Sequence, residues 1–445
     1  MRKDIKNYVV LGLAAAMTVT SLAGCQKQEE PAQTAAAKAE TTETAGAAAE
    51  ASAEGVSELS GELEMVTNAS ESIFEAVSTI LDKFMEENPG VKIDYSTQGS
   101  DYEQLMKARM ASNDLPDIFA THGWSVVRYS EYLRPLTDQP WASNVEESFL
   151  SNIQDENGDI FVLPINMDMG GIICNQTILD ELGAELPKTW DEFQTVCDQA
   201  KEKGYISVFI AGKDSRQPAN LLDIAGTSYL AACEDKGYAA QLDDGSFDWN
   251  NWTPVSQLLL GLKEGGYLNV DCVTCDPVDI PARMAENNIL FLFSSSPDLI
   301  GQALELNPDL KYSMGPVPAV DESYSQIFCG GEREAYGIWK DTEHEDICLA
   351  LIEYLSRPEN VKIVCEASGK RPAIQNVDAD LGTVADDYAK YADIPVYPFL
   401  DRVYLPNGMW STMKTIGSAL IGGEMTVDES VKAMETDYQT LRSQN

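Results

Sequence analysis

Two tryptophans stand in short runs that suit a ring held ready for a ligand. They are Trp124 in His122-Gly123-Trp124 and Trp410 in Pro406-Asn407-Gly408-Met409-Trp410. An indole face covers the C–H side of a sugar ring, while carboxylates, amides and charged groups bond the hydroxyl rim. The pattern therefore suits capture of a neutral, hydroxyl-rich small molecule. Trp124 and Trp410 would be its platforms, His122 a donor from the first run and Asn407 a contact in the second. The competing readings are core tryptophans, a surface histidine, and a turn at Asn407-Gly408 that only aims the Trp410 ring. Trp249 and Trp252, in Phe247-Asp248-Trp249-Asn250-Asn251-Trp252, could lengthen a cleft or pack a loop against a helix. Trp190 and Trp339 read as structural.

Bond-making chemistry has little support. The chain has no Gly-x-Ser-x-Gly, His-Glu-x-x-His, phosphate-cradling glycine loop or dinucleotide fingerprint. A glycoside hydrolase needs two carboxylates at a set separation, and with 72 acidic residues such pairs are too plentiful to inform. Asp155 to Asp159 alternates like a calcium loop, but its glycine stands fourth rather than sixth. Cys272-x-x-Cys275 has no second pair or histidine at ligand spacing, and His122 and His344 are the only histidines. It reads as loop cysteines or a local disulfide, so no metal and no cofactor are expected. The pairing of the eight cysteines after Cys25 cannot be read from spacing.

A formal charge of −41 should repel nucleic acid and anionic headgroups. A neutral guest is indifferent to such a field.

The elements that must hold these residues follow from periodicity. Strands at 62–67, 91–95 and 116–120 alternate with helices at 72–87 and 102–111. The first helix carries Ile73, Val77, Ile80, Leu81 and Phe84 on one face and stops at Asn88-Pro89-Gly90. This order predicts an α/β unit with a largely parallel sheet, whose ligands sit beyond the carboxyl ends of strands. The loop with His122 and Trp124 is at such an end. Further on, Asn157-Gly158 reads as a hairpin turn, Leu163 to Cys174 and Ile289 to Phe293 as strands, and 253–264, 345–356 and 410–421 as helices. Thr189 and Thr426 should cap helices, with Glu192 and Glu429 reaching back. At 445 residues, at least two domains are expected.

The beginning of the chain bears on location. Arg2, Lys3 and Lys6 precede a short apolar stretch from Tyr8, which runs into Leu22-Ala23-Gly24-Cys25. This resembles a bacterial lipobox: 1–24 would be a signal peptide, and Cys25 would carry the lipid that anchors the protein. Residues 25–59, mostly Ala, Glu, Thr, Gln and Ser, read as a disordered tether.

Four later segments join the lipobox in a resemblance. They are Leu115-Pro116-Asp117-Ile118-Phe119-Ala120, Leu163-Pro164 through Cys174-Asn175-Gln176, Pro187-Lys188-Thr189-Trp190-Asp191-Glu192-Phe193, and Trp410 with Gly422 through Ser430. In this order they resemble the extracellular solute-binding proteins of ABC transporters, in the family 1 branch with maltose- and oligosaccharide-binding proteins. The resemblance implies a periplasmic-binding-protein-like α/β fold of type II, a ligand cleft between two α/β lobes, and no enzyme activity. Lobe 1 would be 60–167 and 336–395; lobe 2 would be 168–335 and 396–445. Crossings would lie near Ile165 to Gly170, near Gly331 to Gly337, and near 390–400. Asp168 would then accept from hydroxyls or cap a strand end. Glu332, Arg333 and Tyr336 would contact ligand or fasten the hinge.

Implied partners are a sugar or oligosaccharide, the ABC permease subunits and, through Cys25, the membrane at its extracellular face. A monomer without nucleic acid is expected. One departure is Ser294-Ser295-Ser296-Pro297, where the family often has glycine and tryptophan. Alternatives are a binder of another small solute, a surface adhesin and a glycoside hydrolase.

Overall fold

The computed structural model describes residues 59–146, 150, 153–155 and 157–444. The expected signal peptide, Cys25 and residues 25–58 of the tether lie outside them.

The strands are β1 (Gly61–Thr67), β2 (Val91–Thr97), β3 (Ile118–Ala120), β4 (Leu163–Pro164), β5 (Asn166–Asn175) and β6 (Ile206–Val208). They continue with β7 (Ile289–Ser294), β8 (Tyr312–Gly315), β9 (Phe328–Glu332), β10 (Ala335–Ile338), β11 (Arg371–Pro372) and β12 (Val396–Pro398). One sheet runs β2-β1-β3-β10-β4; the other runs β12-β9-β5-β7-β6, with β8 and β11 also on β5. Within the first sheet β1 is parallel to β2 and β3, while β10 is antiparallel to β3 and β4. The protein is thus an α/β molecule of two lobes.

The first lobe follows the predicted periodicities. Leu63 and Met65 of β1 are buried, and the helix Glu71–Glu87 buries Ile73, Val77, Ile80, Leu81 and Phe84. The final helix, Val427–Arg442, has the full capping box of Thr426 and Glu429. At Thr189 the box is displaced: its hydroxyl accepts from the Glu192 amide at 3.2 Å, but the Glu192 carboxylate accepts from Lys188 N–H at 2.6 Å.

The second sheet is organised by β5, buried along its whole length. Its first half pairs with β9 and β11 and its second half with β7 and β8. Met167 packs in the first lobe's core, whereas Ile172 and Ile173 pack in the second lobe. The chain passes between sheets through Ile165, and again through Arg333-Glu334 between β9 and β10. The third passage falls earlier than 390–400. Ala373 and Ile374 pack in the first core, while Val384 and Tyr388 pack in the second lobe, where the Asp387 carboxylate also accepts from Met314 N–H at 2.8 Å. The stretch around 384–390 therefore packs with the second lobe rather than with lobe 1.

Trp249 and Trp252 are 5% and 0% exposed and pack among Phe247, Tyr438 and the second core, so they do not lengthen a cleft. All eight cysteines from Cys174 to Cys365 are buried free thiols, including Cys272 and Cys275.

Candidate ligand-binding site

The loop after β3 is shaped by two residues at positive φ, His122 at +32° and Gly123 at +102°. A Cβ at position 123 would collide with the Arg402 side chain, so glycine lets the two lobes approach here. Trp124 N–H bonds Thr121 O at 3.1 Å, and residues Ser125–Tyr129 make one π-helical turn. That turn folds Arg128 back over the Trp124 ring, with its guanidinium carbon 3.5 Å from the ring centroid. His122 meets the same ring edge-on at 4.5 Å.

Charged side chains converge around this loop from both lobes. Glu103, on the helix Tyr102–Ser112, lies 2.8 Å from His122 Nε2 and 3.6 Å from Arg128 Nη1. Asp401, on the short helix Leu400–Val403 of the second lobe, lies 3.7 Å from Arg128 Nη2. Its backbone N–H donates to Asp223 Oδ1 at 2.9 Å. Asp168 of β5 is 1% exposed and holds Lys370 and Arg402, each at 2.9 Å. Glu332 Oε1 accepts from Ser125 N–H at 3.1 Å.

Burial and neighbouring charge set the protonation states. Burial resists ionisation of Asp168, yet Lys370, Arg402 and Arg333 together outweigh it and hold the carboxyl below its usual range. Burial raises Glu332 more than Ser125 lowers it. Burial also lowers His122 against the pull of Glu103, which leaves a neutral imidazole beside the carboxylate at neutral pH. Asp223 and Asp401 are both pushed up, first by burial. Asp401 adds to the effect at Asp223, while Arg128 opposes it at Asp401.

The structure brings His122, Trp124, Asp168 and Glu332 into one cluster, together with Glu103, Ser125, Arg128, Asp223, Lys370, Asp401 and Arg402. The Arg333 guanidinium is close enough to Asp168 to lower its pKa, and its backbone N–H bonds Asn166 O at 3.1 Å. Tyr336 is buried in the first sheet with its hydroxyl 3.2 Å from that of Tyr95. Trp410 is half-buried against the second core, on the helix Met409–Gly422, outside the cluster. Asn407 is exposed, and its side chain makes no hydrogen bond among the described residues. Of the residues sequence reasoning missed, Lys370 had a signal: Gly369-Lys370-Arg371 is a basic pair in an acidic chain. Glu103 and Asp401 were hidden among 72 acidic residues.

Polar atoms without partners concentrate here. Thr121 Oγ1, Trp124 Nε1, Ser125 Oγ, Asp401 Oδ1 and Arg402 Nη1 are buried and lack a hydrogen-bond partner among the described residues. Buried polar groups are normally paired, and an unpaired one costs about 1–3 kcal/mol. A guest with several hydroxyls would satisfy them. Two open grooves, of 310 and 460 Å³ around Glu185 to Lys188, share no residue with this cluster.

Comparison with known proteins gives a consistent picture. Residues 79–396 match the family described as bacterial extracellular solute-binding protein. The chain is 32% identical over 385 residues to the melibiose/raffinose/stachyose-binding protein of Bacillus subtilis (strain 168), covering 86% of this chain and 89% of that one. It is similar to the crystal structure of a Bacillus subtilis binding protein in an open conformation, with TM-score 0.82, 31% identity and coverage of 86% and 98%. It is also similar to a sugar transporter structure from Bacillus licheniformis in complex with stachyose, with TM-score 0.80, 33% identity and coverage of 86% and 100%.

Proposed function

Because the chain belongs to the bacterial extracellular solute-binding protein family, we propose that it captures a neutral oligosaccharide of the melibiose, raffinose and stachyose kind between its lobes. It then delivers the sugar to the permease of an ABC importer, with no bond made or broken. The observation that carries this reading is the ring of buried, unpartnered polar atoms around Trp124, drawn from both lobes. Trp124 offers the flat surface. Asp401, Arg402, Ser125 and Thr121 offer acceptors and donors to hydroxyls, and Asp168 and Glu332 orient Arg402 and the Ser125 backbone. His122 belongs to the cluster beside Trp124, and Arg333 flanks it. Trp410, Tyr336 and Asn407 stand further out. Cys25 carries the lipid that keeps the monomeric protein at the outer face of the cell membrane.

Isothermal titration of the full chain tests this directly. Raffinose or stachyose should bind with a dissociation constant on the order of micromolar, and glucose far more weakly. Absence of heat with every oligosaccharide of a broad panel would exclude the reading. Retention of Cys25→Ala in the membrane fraction would exclude the anchor.

A further inference from the structure

Resting on that reading, we infer that Arg128 is a built-in rival of the ligand that latches the two lobes together. Its side chain is 8% exposed and makes three contacts at once. The guanidinium covers Trp124 at 3.5 Å, Nη1 is 3.6 Å from Glu103 of the first lobe, and Nη2 is 3.7 Å from Asp401 of the second. Both carboxylate distances are too long for hydrogen bonds. Charge and the ring quadrupole hold the group in place, and both attractions are strengthened by burial.

The groups that Arg128 engages are those a sugar would need. A ring can stack on that face of Trp124 only after the guanidinium leaves it, and a hydroxyl that donates to Asp401 competes with the same cation. Opening the cleft parts Arg128 from Asp401, since Trp124 and Glu103 travel with one lobe and Asp401 with the other. Arg128 therefore does two things. It favours closure when no sugar is bound, and it exacts stacking and a hydroxyl bond together from any guest that replaces it. A ligand that offers only one of them leaves the latch shut.

The latch and the sugar reading are tested separately. Small-angle scattering of the sugar-free full chain needs no ligand: Arg128→Gln should show a larger radius of gyration than the wild type, and identical profiles would overturn the latch. Stopped-flow tryptophan fluorescence with raffinose then reads the rivalry. Arg128→Gln should associate about tenfold faster, with dissociation little changed, because a larger fraction is open and competent. Unchanged association with faster dissociation would mean that Arg128 grips the sugar, and would overturn the proposal. Should Arg128→Gln not fold, Arg128→Lys keeps the charge and loses the planar stack; it should move both readouts the same way by less, and no movement overturns the proposal. A wild type inert to raffinose and stachyose, with the scattering difference intact, would sink the sugar reading and support the latch.

Discussion

Asp168 Oδ2 accepts from Arg402 Nη2 at 2.9 Å, joining the strand that crosses between the lobes to the short helix that borders the cleft. The same carboxylate holds Lys370 at 2.9 Å. Asp168→Asn would leave the buried Lys370 and the half-buried Arg402 facing an amide, which should destabilise the protein by about 3 kcal/mol in urea denaturation. The folded pKa is depressed, so this stabilisation is present above the unfolded value near 3.9 and fades as pH falls through the lower folded value. The difference between wild type and variant should hold from pH 7 to about pH 5 and shrink only below about pH 4.

The carboxylates of Asp223 and Asp401 give the opposite sign. Their folded pKa values are raised, so ionising them works against the fold, and this penalty grows as pH rises above the unfolded value. Asp223→Asn keeps the oxygen that accepts from Asp401 N–H and removes the charge. Its melting temperature should exceed the wild type's at pH 8, by a margin that closes as pH falls to about 4. Calorimetric scans at three pH values measure it.

Loss of the Trp124 ring should weaken raffinose binding more than loss of the Trp410 ring. Trp124 is enclosed by the cluster, whereas Trp410 is half-buried beside the second core. For Trp124→Ala the expected loss is about 10- to 100-fold, or about 1.4–2.8 kcal/mol. Equal losses in titration calorimetry would contradict this ranking.

Trp252→Ala separates packing from binding. The ring is fully buried, and two of its atoms lie 3.2 and 3.3 Å from where a Cβ on Gly226 would stand. Emptying that space should cost about 3–5 kcal/mol. The folded fraction should keep the wild-type dissociation constant, as measured by titration below the melting transition.

Much of the fold was legible because local pattern and burial agree. The five apolar residues of the helix Glu71–Glu87 and the capping box at Thr426 rest on neighbours in sequence. The loop with His122 and Trp124 was also visible, since glycine and a ring at the end of a strand are local signals. Arg128 and Glu103 were not. Their meeting depends on a π-helical turn and on the approach of a separate helix, and nothing in Val126-Val127-Arg128 announces either. For Trp249 and Trp252 the polar neighbours left a cleft and a packed loop both open; the structure shows the packed loop, with Asp248 used locally, its carboxylate accepting from Asn250 N–H at 3.0 Å. The role of Asp168 needed the resemblance to suggest it and the third dimension to supply Lys370 and Arg402.

The strand β5 constrains how the halves can move. Ten buried residues, about 33 Å of extended chain, form a stiff beam that cannot bend without exposing side chains to water. Compliance is left to the links at its end, where Ile165 N–H bonds Glu334 O at 2.8 Å and Ala373 N–H bonds Ile165 O at 3.0 Å. Three strands of chain pinned side by side act as a pivot, which permits swinging about one short axis and resists sliding. The two halves are therefore hinged like a book along its spine, with the bonds at Ile165 as the binding.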